Sequence, residues 1–210
     1  MKKRNLIEDI DFIGTKFDDC QICIQGRQFR KPFPKCSRSE TENILDLVHS
    51  DICGPMKTST PSGNRYILTF IDDFSRYTFV YLLRSKDEVV DKYKEFINLM
   101  KNNFKKNVKV LRSDNGGEYM SKILNEILKE NGTKHEFSAP YTPEQNGVAE
   151  RKNRSLTEMA RCMLIDGSME RKFWGEAVIT ANYLQNRLLT RSHGSISISL
   201  FLSHQKYMTR

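Results

Sequence analysis

The order of strand-like and helix-like hydrophobic patterns between residues 44 and 188 constrains the fold more than any other feature of this sequence. Three segments rich in β-branched and aromatic residues come first, and helical and strand patterns then alternate. The predicted strands are 44–52, 65–71, 77–83, 108–111 and 134–138. Consecutive strands favour an antiparallel meander, whereas strands separated by helices favour parallel pairing through right-handed crossovers. The sequence therefore predicts an α/β protein with a five-stranded mixed sheet flanked by helices, in which the first strand can lie beside the fourth.

Helix signals fill the intervals between these strands and the region after them. The first predicted helix begins after Ser85, an N-cap with Glu88 three residues later. The others are 121–130, 148–166 and a last helix near 173–188, whose Phe173 and Trp174 are interpreted as core residues. A loop with two prolines is predicted at 139–147, and the alternating serines and isoleucines at 195–199 indicate a fragment of strand.

Composition excludes several classes of protein. The 210 residues suffice for one domain of ordinary size and a short extra module. No apolar run approaches the roughly 20 residues of a membrane helix, and residues 1–20 have no apolar stretch of signal-peptide length. The five cysteines are odd in number and mostly scattered, as in a reduced intracellular protein. Membrane, secreted and disulfide-scaffold classes are therefore disfavoured.

The net charge of +8 is unevenly distributed. Residues 114–149 are net acidic, whereas the segments on both sides of them are net basic. An acidic pocket between basic flanks suits a polyanion held near metal ions. A mildly basic protein with solvated faces is the simpler alternative, and charge alone does not separate the two.

Three carboxylates fall where the predicted sheet would bring them together. Asp51 lies within the first strand, Asp114 follows the fourth, and Glu150 lies in the first turn of the helix predicted at 148–166, where the helix dipole favours an acid. Converging carboxylates bind Mg²⁺ or Mn²⁺, and two such ions can activate a nucleophile and stabilise a leaving oxygen. The sequence thus indicates a metal site suited to phosphodiester chemistry.

Plain structural explanations exist for individual acids. A single aspartate is most often a turn or cap residue, and the spacing of the second and third acids arises readily by chance. Asp72 and Asp73 are interpreted in this way, as turn residues of the hairpin between the second and third strands, with Asp73 paired to Arg76. The placement of Asp51, Asp114 and Glu150 at a common point of the fold is what favours a functional role for those three.

Four segments of the chain resemble copia-type retrotransposon integrases. They are 48–55 (VHSDICGP), 70–77 (FIDDFSRY), 111–119 (LRSDNGGEY) and 141–151 (YTPEQNGVAER). These motifs occur in the family's order, and the resemblance extends from about residue 20 to about residue 191. It implies a ribonuclease-H-like fold and an Asp-Asp-Glu triad, which by motif falls on Asp51, Asp114 and Glu150 rather than on the nearby Glu118.

The resemblance also implies an activity and partners. Enzymes of this family use two Mg²⁺ or Mn²⁺ ions to cut near the 3′ end of the element's DNA and to join the freed 3′-hydroxyl to target DNA. DNA is the implied partner, a homo-oligomer the implied active form, and the nucleus, reached through the cytoplasm, the implied site of action. Two alternatives stay open. One is a nuclease of the same fold that cleaves RNA–DNA hybrids, against which the motif around Glu150 argues. The other is a truncated, catalytically inactive DNA-binding remnant of a transposable element.

The region around the third acid supplies candidates for DNA contact. Basic residues follow it along the helix, and an aromatic residue and an amide lie in the preceding loop. A solvated basic face is the alternative, but substrate must lie against this helix end, which favours phosphate contact. The predicted DNA-binding residues are Tyr141, Gln145, Arg151, Lys152 and Arg154.

Residues 1–40 are expected to be a partial N-terminal zinc-binding (pre-integrase) module and a linker. Cys20 and Cys23 have the spacing of half a zinc site, and the resemblance implies an upstream histidine pair. All four histidines follow these cysteines, and Cys36 as a third ligand leaves the set incomplete, so we expect no tight zinc binding. The integrase catalytic core is assigned to 41–191 and a divergent C-terminal tail to 192–210.

Overall fold

The computed structural model describes residues 41–138, 143–188 and 196–203, and the side chains of all of these except 143–146 and 203. The strands are β1 Leu47–Cys53, β2 Tyr66–Asp72, β3 Thr78–Leu83, β4 Val110–Ser113 and β5 Lys134–Phe137. The α-helices are α1 Val89–Phe104, α2 Lys122–Glu130, α3 Pro143–Asp166, α4 Trp174–Arg187 and α5 Ser197–Ser203. Short 3₁₀ turns lie at Lys86–Glu88, Gly117–Met120 and Arg171–Phe173.

The strands form one mixed sheet in the order β3-β2-β1-β4-β5. The pairs β1–β2 and β2–β3 are antiparallel, whereas β1–β4 and β4–β5 are parallel. The predicted five-stranded mixed sheet is confirmed, and the first strand lies beside the fourth. This pairing places the carboxyl ends of β1, β4 and β5 at one edge of the sheet.

Local signals in the sequence explain the ends of several elements. Ser85 and Glu88 form the predicted capping box, and the chain makes one 3₁₀ turn before α1 begins at Val89. Leu45 has a φ of 67°, so β1 begins at Leu47, after the start of the predicted strand. The end of α2 is followed by Gly132 with a φ of 65°, a conformation that glycine adopts without steric cost.

Helices cover both faces of the sheet because residues alternate sides along each strand. Leu68 and Phe70 of β2 belong to the larger core, into which α1 and α2 bury their apolar faces. Ile67, which directly precedes Leu68 and faces the other side of the sheet, belongs to a smaller core with residues of α3 and α4. Each large side chain buried in this way stabilises the fold by roughly 1.5–3 kcal/mol.

Helix α4 protects the open edge of the sheet at β3. The side-chain amide of Asn186 accepts a hydrogen bond from the Thr78 N–H at 3.0 Å and donates one to the Thr78 carbonyl at 2.8 Å. Trp174 is buried in the smaller core, as predicted, and its indole N–H donates to the carbonyl of Thr58 at 2.8 Å. The two bonds from Asn186 satisfy backbone groups of the edge strand that another chain would otherwise pair with.

Two predicted elements differ from those found. Helix α3 begins at Pro143 rather than at 148, because proline suits the first turn of a helix, where its missing N–H costs nothing. Residues 197–199, expected to be part of a strand fragment, are helical instead: α5 begins at Ser197, and Phe201 is buried against Tyr77, Phe79 and Phe104. Part of the predicted C-terminal tail therefore contributes to the larger core. No helix within the described ranges is long and apolar enough to cross a membrane.

Candidate active site

The pairing of β1 with β4 brings two of the predicted acids together. The parallel register joins Val48 to Leu111 and His49 to Arg112. Continuing this register by two residues sets Asp51, near the end of β1, beside Asp114, which follows β4 directly. Asp114 is held in its turn by its own loop, because its Oδ1 accepts a hydrogen bond from the Gly116 N–H at 3.1 Å.

Helix α3 brings the third acid to the same edge. It packs across β1 and β2, and the charge of Glu150 acts on Asp51. Because α3 begins at Pro143, Glu150 lies in its third turn, so the expectation that it occupies the first turn is wrong. The helix dipole falls off within the first turn, and the position of Glu150 depends instead on the packing of α3 against the sheet.

Asp51 is the most perturbed acid of the site. Burial raises its pKa from 3.8 to about 6, the hydrogen bond from Asn153 opposes this rise, and the charges of Asp114 and Glu150 raise the pKa further. An acid that loses water and faces two other carboxylates disfavours its charged form. All three predicted acids therefore act on one point, at the end of β1.

Asn153 is a site residue that the sequence analysis missed. Its Nδ2 donates a hydrogen bond to Asp51 Oδ2 at 2.8 Å, from one helical turn beyond Glu150. The side chain is 5% exposed, and among the described residues its Oδ1 finds no hydrogen-bond partner. The i, i+3 spacing from Glu150 on the predicted helix was the signal that could have identified it.

A buried polar layer lies beneath the acids. Ser50 and Tyr119 share a hydrogen bond of 2.6 Å, and Ser113 bonds to His135 Nε2 at 3.0 Å. Ser50 and Ser113 immediately precede Asp51 and Asp114, so these bonds anchor the backbone of both acids from below. Satisfied polar groups in a core fix one arrangement of the strands that carry them.

The carboxylate oxygens of the three acids suit a divalent cation, although the three side chains are not close together. Within the described part of the chain, no group of three His, Cys, Asp or Glu side chains is close enough to hold a metal ion. The mutual repulsion that raises the pKa of Asp51 is what a bound cation would relieve, and carboxylate oxygens are the ligands that Mg²⁺ and Mn²⁺ prefer. Asp51, Asp114 and Glu150 thus fit such an ion by the chemistry of their oxygens, and they lie at one end of the sheet.

The predicted DNA-binding residues differ in their surroundings. Arg151 is exposed and Arg154 half-buried, and contact of either residue with DNA stays a prediction. Lys152 is partly buried, and desolvation lowers its pKa to about 8, an unusual setting for a phosphate contact. Tyr141 lies outside the described residues, and of Gln145 only the helical backbone is described. The zinc half-site at Cys20 and Cys23, with the rest of 1–40, also lies outside them.

Asp72 and Asp73 are structural, as interpreted from the sequence. The Asp73 Oδ1 atom pairs with Arg76 at 2.8 Å and with His49 Nε2 at 2.9 Å. Asp72 accepts a hydrogen bond from the Leu45 N–H at 2.7 Å and another from the Ser75 N–H at 2.8 Å. Both acids are thus held at the end of the sheet opposite to Asp51.

Comparison with known proteins places these features in one class. A five-stranded mixed sheet with helices on its faces and acids at the ends of β1 and β4 defines a ribonuclease-H-like protein. The catalytic core domain of HTLV-2 integrase, solved in complex with magnesium in a trimeric form, superposes with a TM-score of 0.57 at 16% identity, covering 75% of this chain and 97% of that one. At this identity the likeness shows the fold alone.

The sequence comparisons go further. Residues 44–143 match the family model described as integrase core domain. The retrovirus-related Pol polyprotein from transposon TNT 1-94 of Nicotiana tabacum is 47% identical over 174 residues, which are 83% of this chain and 13% of that polyprotein. The corresponding protein from transposon RE2 of Arabidopsis thaliana is 35% identical over 175 residues, 83% of this chain and 12% of the relative. The chain belongs to the integrase core family of retrotransposon Pol polyproteins, and it spans about an eighth of the length of these relatives.

Proposed function

We propose that this chain is the catalytic core of an integrase that inserts retrotransposon DNA into target DNA by metal-dependent 3′-end processing and strand transfer. The observation that carries the proposal is the set of three acids: Asp114 and Glu150 both act on Asp51 at the carboxyl end of two parallel strands. Family membership supports the same reaction class.

The three acids would hold the metal ions. Two Mg²⁺ or Mn²⁺ ions, when bound, would activate the attacking oxygen and stabilise the leaving one in an in-line displacement. The residues of the chain itself orient these groups: Asn153 fixes one oxygen of Asp51, and the Gly116 N–H fixes one oxygen of Asp114. Arg151 and Arg154 follow Glu150 on α3, where they would contact phosphates of the DNA.

A strand-transfer and nicking assay of the purified chain tests this proposal, with Mg²⁺ and then Mn²⁺ as the ion. We expect joined or nicked DNA that requires the metal and is lost in Asp114→Asn, because an amide is a poorer cation ligand than a carboxylate. Asp91→Asn, an exposed aspartate on α1, is the matched control and should keep full activity. Activity that survives in Asp114→Asn would refute the assignment.

One observation favours a second candidate, DNA binding without catalysis. The acids do not meet closely enough, within the described residues, to form a metal site. A folded chain that binds DNA with a steep salt dependence, yet shows no joining or nicking with either ion, would support this candidate.

The active form is proposed to be a homo-oligomer acting on chromosomal DNA in the nucleus. Helix α4 exposes Ile179 at 51% and Tyr183 at 55%, with Leu184 and, directly after the helix, Leu188 at about two-fifths each, which is more apolar surface than a solvated helix face usually carries. The related viral core is described in a trimeric form. Sedimentation of the chain with and without DNA tests the oligomer, and localisation of a tagged full-length protein tests the compartment.

A further inference from the structure

An ion pair bridges the ends of two strands beside the acids. Lys86, in the 3₁₀ turn after β3, places its Nζ 2.9 Å from Oε1 of Glu118, in the 3₁₀ turn after β4. The strand order puts β2 and β1 between these two turns, so the pair spans their ends. This is the edge of the sheet at which Asp51 and Asp114 lie.

Direct contacts connect this ion pair to Asp114. The Gly116 N–H donates to Asp114 Oδ1 at 3.1 Å, and the Glu118 carboxyl group packs onto Gly116 so closely that a Cβ added there would lie 2.8 Å from Glu118 Cδ. Lys86 is thus connected to Asp114 by three contacts that run through Glu118 and Gly116. The bond to Glu118 raises the pKa of Lys86, and the charge of Asp114 adds to the rise, so the ammonium is charged at neutral pH.

The two partners of the ion pair differ in their access to solvent. The Glu118 side chain is 9% exposed, whereas the Lys86 side chain is 46% exposed. A Cβ added at the neighbouring Gly117 would meet nothing within 4 Å, so space is open beside the pair. An ammonium has three donors, and Lys86 can therefore bind a second anionic oxygen without leaving Glu118.

Other basic residues lie at the same end of the sheet, farther from the acids than Lys86. Arg84 directly follows β3 and Arg65 directly precedes β2, and both are exposed. These arginines place two further positive charges at the ends of β2 and β3, farther from β4 than the Lys86–Glu118 pair. A DNA backbone that runs outward from the acids along this end of the sheet would pass Lys86 before the two arginines.

We propose that Lys86, positioned by Glu118, binds a backbone phosphate of the DNA beside the Asp51–Asp114 site. The inference rests on the proposed function in taking DNA as the polyanion, and it adds a substrate-binding residue on the opposite side of the site from α3. A lysine neutralising one phosphate changes the slope of log binding constant against log salt by about one.

Salt-dependent binding tests this directly. Anisotropy of a labelled DNA duplex would be followed over a series of NaCl concentrations for the wild type, Lys86→Ala and Lys86→Arg. We expect Lys86→Ala to weaken binding about tenfold at low salt and to flatten the slope by about one, with Lys86→Arg retaining the slope. Lys94→Ala is the matched control, since Lys94 is 48% exposed and paired with Asp91 on the outer surface of α1.

A double variant guards against a folding effect. Lys86→Ala leaves an enclosed carboxylate unpaired, whereas Lys86→Ala/Glu118→Gln does not, so the double variant should fold as the wild type does and still show the flattened slope. Equal slopes for Lys86→Ala and Lys94→Ala, or no DNA binding by the wild type, would overturn the proposal. A Lys86 effect on binding without any strand transfer would refute the catalytic function and leave the phosphate contact standing.

Discussion

Two groups of acids, at opposite ends of the same sheet, differ in how the fold stabilises their charge. At the hairpin turn, Asp72 uses both oxygens as acceptors: Oδ1 from the Leu45 N–H, and Oδ2 from the N–H and hydroxyl of Ser75. At the other end, Asp51 accepts one side-chain bond, from Asn153, and faces two like charges. Burial raises the pKa of both acids.

The difference separates a structural acid from a functional one. The donors around Asp72 are part of the turn itself, so its carboxylate helps to hold the hairpin together. The like charges around Asp51 come from β4 and α3, and they destabilise the folded chain until a cation arrives. Acids whose pKa is shifted by uncompensated like charges cluster at functional sites, because a bound ligand can supply the opposite charge that the fold does not provide.

Replacing an aspartate by asparagine should therefore change the free energy of unfolding in opposite directions at the two ends of the sheet. The larger change is expected at the hairpin turn. Asp72→Asn should lower the free energy of unfolding by about 2–3 kcal/mol, measured by urea unfolding at pH 7. An amide has one acceptor oxygen, so its NH₂ must face either the Leu45 N–H or the Ser75 N–H, and that buried donor loses its partner. Asp91→Asn on α1 is the control, and an equal loss there would contradict this account.

At the active site, replacing Asp51 by asparagine should stabilise the folded chain. Without divalent metal, Asp51→Asn should raise the free energy of unfolding by about 1–2 kcal/mol at pH 7.5, a value discounted for partial solvent access. The new side chain can still accept the bond from Asn153, while the repulsion by Asp114 and Glu150 disappears.

The pH dependence gives this prediction its sign. The folded chain has a raised pKa of about 6 at Asp51 against 3.8, so between about pH 4 and 6 it binds more protons than the unfolded chain. Stability falls as pH rises through this window, and the cost is complete above it. The advantage of Asp51→Asn should vanish near pH 4; an advantage that persists there, or a loss of stability at pH 7.5, would show that burial and repulsion at Asp51 are compensated elsewhere.

The sequence predicted the placement of the active-site acids, because that placement depends on strand order. Three consecutive strand patterns followed by alternating ones placed β1 beside β4, and therefore Asp51 beside Asp114. It could not predict features set by tertiary packing. The serine–isoleucine alternation at 195–199 resembles a strand, but the burial of Phe201 among aromatic residues selects a helix. Asn153 was missed because its i, i+3 spacing from Glu150 does not by itself show that the amide bonds to Asp51.

The hydrogen bond from Asn153 to Asp51 can be tested separately, and its expected effect on the free energy of unfolding is the smallest of the three. Asn153→Ala removes the only side-chain donor to Asp51 among the described residues, so it should lower the free energy of unfolding by about 1 kcal/mol and raise the pKa of Asp51 beyond its value of about 6. The acid limb of the pH–rate profile for strand transfer should then move to higher pH, because the unprotonated carboxylate is the form that would bind the metal. Asn182→Ala, which removes a bond to the Thr78 carbonyl at β3, should lower stability comparably without moving that limb. If both variants shift the profile equally, Asn153 acts through stability alone; if only Asn153→Ala shifts it, this amide tunes the charge of the acid that the site leaves uncompensated.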